Sequence, residues 1–174
     1  MTVGSQTIAK ACVARQEVSR TRILFPVESQ YNFDMDHNNP VVKLCVEGMK
    51  AEFEGRASDA LACFTQAWEL RKDDFDGCIA AHYVARHQRT PEEMRYWNLE
   101  SLKLADAVND ERVQEFYPSL YLNLGKSEED LGNREAAKRY YELARTKCSA
   151  LALAEGRYTD VLRDGIARAL DRVS

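Results

Sequence analysis

The sequence predicts an all-α protein built from helix pairs stacked side by side, and two observations predict it. First, CVEGMKAEFEGRASDALACFTQA at 45–67 recurs as LNLGKSEEDLGNREAAKRYYELA at 122–144. A shift of 77 positions pairs Gly48 with Gly125, Gly55 with Gly132, Ala60 with Ala137, Phe64 with Tyr141, and Ala67 with Ala144. Second, the apolar and small residues between turn signals return at spacings of three and four, the helical period, and no alternating strand pattern precedes a helix.

Along the chain, residues 1–40 contain no copy of the repeat. They hold a helical candidate at about 6–20 and then RILFPVESQYNFDMDHNNP, broken by prolines and asparagines. This region is expected to be a weakly structured N-terminal extension, with DMDHNN as a polar cap before the first helix. In the first copy Leu44, Gly48 and Ala51 share one helical face, and Gly55 supplies the left-handed residue that closes a helix. The next helix carries Ala60, Phe64 and Ala67 on one stripe. Small residues at Gly48 and Ala60 let the two helices cross closely, while Phe64 and Ala67 are left to meet the next pair.

The 43 residues from 75 to 117 depart from this pattern. GCIAAHYVARHQ reads as one helix. TPEEMRYWNLESLKLADAV reads as a second with an explicit start: Thr90 as cap, Pro91 in the first helical position, Glu93 three residues after the cap. NDERVQEFY, 109–117, is expected to extend the following helix backwards, with Pro118 kinking or interrupting it. After Gly156, YTDVLRDGIARALDRV places Leu162, Ile166, Leu170 and Val173 on one face and charges on the other, as a terminal capping helix requires.

These residues resemble the tetratricopeptide repeat, a helix-turn-helix unit of about 34 residues with small residues at the helix crossing and an aromatic late in the second helix. Tyr121, Leu124, Gly125, Gly132, Ala137, Tyr141 and Ala144 fall on its signature positions; the first copy departs from it at Glu47, where Leu is usual, and at Ala51, where Tyr is usual. The resemblance implies a right-handed α-α superhelix of about three helix pairs plus a C-terminal capping helix. On this register a domain covers 41–174, with units at about 41–74, 75–117 (degenerate) and 118–151, and a cap at about 157–173. From MDHNNPVVKLCVEGMKAEFEG onward, through AAHYVARH, LADAV, DERV and FYPSLYLNLG, the chain is also similar to small bacterial tetratricopeptide proteins. Those begin near the equivalent of Met35, so residues 1–34 read as an upstream extension.

Composition narrows the function classes. A hydrophobic fraction of 45% with 30% charged residues is that of a chain that folds. The net charge of -4 disfavours nucleic acid, whose phosphates call for a basic face. No apolar run reaches the roughly 18 residues of a membrane span, and the first 20 residues lack a secretory core. The expected location is cytoplasmic, away from membranes. The five cysteines are an odd number without a CxxC pair, and they are expected to stay reduced.

A search for chemistry returns no catalytic, cofactor or metal site. His82 and His87 lie five apart, about 140° round a helix, so one helix cannot aim both at a metal. DMDHNN resembles a calcium loop only in its alternate acids, because Asn39 stands where Gly is needed and Cys45 where Glu is needed. Neither GxGxxG nor GxxxxGK[ST] occurs. Glu128, Glu129 and Asp130 read as a solvated face. Trp68, Tyr96 and Trp97 read as filling between repeats, with a ligand-stacking cluster as the alternative.

The repeat resemblance implies that the first helix of each unit lines a concave groove. In the first unit the inward positions are Val42, Cys45, Met49, Glu52 and Phe53, and in the third Ser119, Leu122, Lys126, Glu129 and Asp130. In the middle unit Cys78, His82, Ala85 and Arg86 come nearest. The Lys and Asn that clamp chaperone C-termini in one subclass are replaced here by Cys45 and Met49, and Asn123 and Lys126 do not restore them. The expected function is therefore a non-enzymatic protein- or peptide-binding module, adaptor or regulatory, with homo-oligomers allowed. The alternative is a small-molecule sensor, or an enzyme of unfamiliar type, using the groove around His82 and Arg86.

Overall fold

The computed structural model describes residues 36, 38–150 and 157–174 and is helical throughout them, with no strand among the described residues. Nearly all of the extension expected at 1–40, including the helix candidate at 6–20, lies outside the described residues. Its last residues do form the cap read from the sequence. The Asn39 side chain accepts from the Val41 backbone N–H at 2.8 Å, and α1 (Pro40–Phe53) begins there.

α1 turns at Gly55, φ 78°, into α2 (Ala57–Leu70), and α6 (Tyr117–Asp130) turns at Gly132, φ 79°, into α7 (Arg134–Ala150). At both turns the left-handed backbone, strained for any residue with a Cβ, is met by glycine. The small residues at the crossings act as expected. A Cβ added at Gly48 would come within 2.3 Å of a Phe64 ring carbon, and one at Gly125 within 2.3 Å of a Tyr141 ring carbon, closer than non-bonded atoms can approach. Both rings are fully buried, so the helices approach as closely as these glycines permit.

Between these pairs lie α3 (Asp74–Ala85) and α4 (Pro91–Val108). The start of α4 carries a full capping box: Thr90 accepts from the Glu93 N–H at 3.2 Å, and Glu93 accepts from the Thr90 N–H at 3.2 Å. Residues 109–116 do not extend the next helix, which begins at Tyr117. Asn109 takes a left-handed conformation, φ 45°, that ends α4, and Asp110 caps the separate short helix α5 (Glu111–Gln114). Pro118 lies in the first turn of α6, where its missing N–H leaves no bond unmade, so it neither kinks nor interrupts that helix but stands at its start.

Packing follows chain order: α1 on α2, α2 on α3, α3 on α4, α4 on α6, α6 on α7, and α7 on α8 (Arg157–Val173). Two apolar clusters result. One joins α1 to α6 around Phe64, Ile79, Val113 and Leu120; the other joins α6, α7 and α8 around Tyr141, Leu162 and Ile166. α3 is enclosed on all sides, each residue from Asp76 to Ala85 being buried. Trp68 and Trp97 meet edge to face at 5.0 Å and are only half-buried against the first cluster; Tyr96 stands largely in solvent, and Arg71 lies over the Trp68 ring at 3.7 Å. No helix among the described residues is long and apolar enough to cross a membrane.

Candidate functional site

The residues expected to line one open wall divide three ways. Cys45, Met49, Cys78, His82, Ser119 and Leu122 are buried, and so are Val42 and Ala85. Glu52, Arg86, Lys126 and Glu129 are half-buried, and Asp130 is exposed. Phe53 alone stands out as an exposed apolar side chain, with 75% of its surface in solvent. Cys78 faces its own pair: its thiol lies 3.7 Å from the Ser101 hydroxyl of α4, and that hydroxyl donates to the Cys78 carbonyl at 2.8 Å. Leu122 packs into the cluster of α6, α7 and α8, and the Ser119 hydroxyl donates to the Phe116 carbonyl at 2.8 Å.

The charged members are already engaged within the chain. Lys126 pairs with Asp130, one turn along α6. Glu129 takes both Arg172 of α8, at 2.8 Å and 2.9 Å, and the Tyr141 hydroxyl, at 2.6 Å. Arg172 holds the Glu129 carboxyl below the usual carboxylate range. Arg86 Nη2 lies 2.8 Å from Glu52 Oε2.

This last pair belongs to a larger polar cluster where the C-terminal ends of α1 and α3 meet. Glu52 leaves α1 near its end, and Arg86 caps α3, where a cation complements the unpaired carbonyls of the helix terminus. His87 follows outside the helix and brings Nε2 to 3.4 Å from Glu52 Oε1. The side chains of Glu52, Arg86 and His87 retain 6%, 14% and 3% of their surface, so this is an interior ion cluster rather than a solvated pair. One turn back along α3, His82 is buried with its Nδ1 unbonded among the described residues. Burial, and then the neighbouring Arg86 charge, push its pKa down to about 3, while Glu52 opposes them.

Aromatic rings wall this cluster. Phe64 stacks on Tyr83 at 5.1 Å and leans on His87 at 5.4 Å; His82 meets Tyr83 edge on at 5.3 Å. From α8, Tyr158 is hydrogen-bonded to Ser119 and sits near enough to feel Arg86, and burial pushes its phenol up to about 12. Tyr83 and Tyr158 carry no signal of this role in the sequence, and His87 is set apart there from His82. A helical wheel separates His82 from His87, but α3 ends at Ala85, so His87 leaves the helical path and both imidazoles come close to the same carboxylate. The early end of the helix was the signal available, in the HQRTP run that follows.

Among the described residues no group of three or more His, Cys, Asp or Glu is placed to hold a metal, and Cys45, Cys63, Cys78 and Cys148 are free thiols. Burial raises the Cys78 thiol to about 12 and the Cys45 thiol higher still, so neither is a ready nucleophile. No protein-family profile matches the chain. No curated protein and no solved structure matches it.

Proposed function

We propose that this chain is a tetratricopeptide-like repeat module that binds a protein or peptide segment without catalysis, in an adaptor or regulatory role. In this reading the three helix pairs form one superhelix, and α1, α3 and α6 present the inner face. The observation that carries the proposal is Phe53. A Phe three-quarters exposed at the end of a folded helix is an apolar contact without an internal use, of the kind that anchors interfaces. Neighbour-on-neighbour packing of helix pairs supports the repeat reading. Because Arg86, Lys126 and Glu129 are each paired within the chain, the anchoring contact is apolar and the charges set register and association rate. The site of action is the cytoplasm, where the thiols stay reduced.

The test is affinity capture with the full chain, followed by binding measurements on each recovered protein. Phe53→Ala should weaken binding by about 1 to 3 kcal/mol while leaving circular dichroism unchanged. A partner that binds the variant as tightly as the original chain would move the site away from this face.

A further inference from the structure

We propose that the His82, Glu52, Arg86 and His87 cluster is an acid-sensitive latch that holds the α1–α2 pair on α3 and releases it on protonation of His82. In the closed form one carboxylate, Glu52, joins two groups from the end of α3: Arg86 at 2.8 Å and His87 at 3.4 Å. His82 lies inside this arrangement, buried, with no hydrogen bond made by Nδ1 among the described residues. A proton on its ring creates a second interior cation beside Arg86, with Glu52 as the one carboxylate acting on it among the described residues. The remaining groups offer no relief. Tyr83 stays neutral because burial raises its phenol, and the same holds for Tyr158 on α8. The second polar link between α1 and α3, Asn39 to Asp76 at 2.6 Å, sits at the opposite end of α1 and contains no histidine. The least costly response is to open the contact and return His82 to water.

The direction follows from linkage. The open form binds a proton with the ordinary imidazole pKa of 6.5, and the closed form only near 3. Between these values the open form holds the proton and the closed form does not, so acid favours opening. From pH 7 to pH 4.5 the opening equilibrium moves by roughly 70-fold. The α6–α8 cluster has its own apolar core and is expected to stay closed.

Amide hydrogen exchange of the full chain at pH 7 and pH 4.5, corrected for intrinsic rates, tests this. The expected result is a loss of protection near 70-fold in α1 and α2, little change in α7 and α8, and suppression of the loss by His82→Gln. Equal protection of α1 and α2 at the two pH values, or an undiminished loss in His82→Gln, would overturn the proposal. Should the variant not fold at pH 7, NMR of the unmodified chain decides. The His82 ring carbon and the α1 amides must titrate with one midpoint, and separate midpoints would equally overturn it.

Discussion

The first helix pair and the third are built on one apolar plan and fastened by two different polar schemes. In α1–α2 the crossing glycine is Gly48 and the ring against it Phe64; in α6–α7 they are Gly125 and Tyr141. Phe64 has no polar atom, and the pair it belongs to is tied onward through the interior ion pair of Glu52 with Arg86, with His87 beside it. Tyr141 carries a hydroxyl that donates to Glu129, and Glu129 takes Arg172 from α8 with nearly half of that side chain still in water. The comparison separates two jobs. Small and aromatic residues make the hairpin, and polar residues choose what it docks against and how that contact responds to its surroundings.

The largest effects are expected where the first pair is fastened. Arg86→Ala leaves Glu52 as an interior carboxylate without its guanidinium, at a cost of about 3 to 5 kcal/mol in chemical denaturation. The matching change at the other end, Arg172→Ala, breaks a partly solvated pair and should cost about 1 kcal/mol or less. Equal costs for the two would mean that both pairs are fastened alike. Phe64→Ala, which empties a fully enclosed ring site, should cost about 3 to 5 kcal/mol, on the scale of Arg86→Ala.

Smaller effects test the shared plan. Gly48→Ala and Gly125→Ala should each cost about 1 to 3 kcal/mol, because the added methyl displaces an enclosed ring and outweighs the roughly 1 kcal/mol that alanine returns in helix propensity. The two costs should agree within about 0.5 kcal/mol; a large difference would mean that the crossings are not equivalent. At the small end, Phe53→Ala should shift stability by no more than about 0.5 kcal/mol, since its ring lies in solvent. A larger loss would assign Phe53 to the fold and remove it as a binding anchor.

Much of the fold could be read in the chain because its causes are local. Gly55 and Gly132 close helices through their own backbone freedom, and Thr90, Pro91 and Glu93 start α4 within one turn. The break at 109–110 was missed because asparagine adopts the left-handed conformation less often than glycine does, and nothing else marked the end of α4. The candidate site was far less legible. The repeat resemblance grouped Met49 with Phe53, yet one is buried and the other exposed, because their shared face is only partly covered. Lys126 and Arg86 read as groove charges, but Asp130 lies one turn along the same helix as Lys126, and Glu52 comes within reach of Arg86 once α1 and α3 are placed.

By itself, the sequence determined that this protein is helical, where most of its helices turn, and which small residues let them cross. Those properties depend on backbone conformations and on contacts within a turn or a hairpin. Only the tertiary structure decided that Glu52 of α1 meets Arg86 and His87, that Cys78 faces Ser101, and that Glu129 joins Tyr141 to Arg172. These contacts join different helices or their ends, between residues 12 to 43 positions apart. A side chain's burial and charge state are set by whatever the rest of the chain brings beside it.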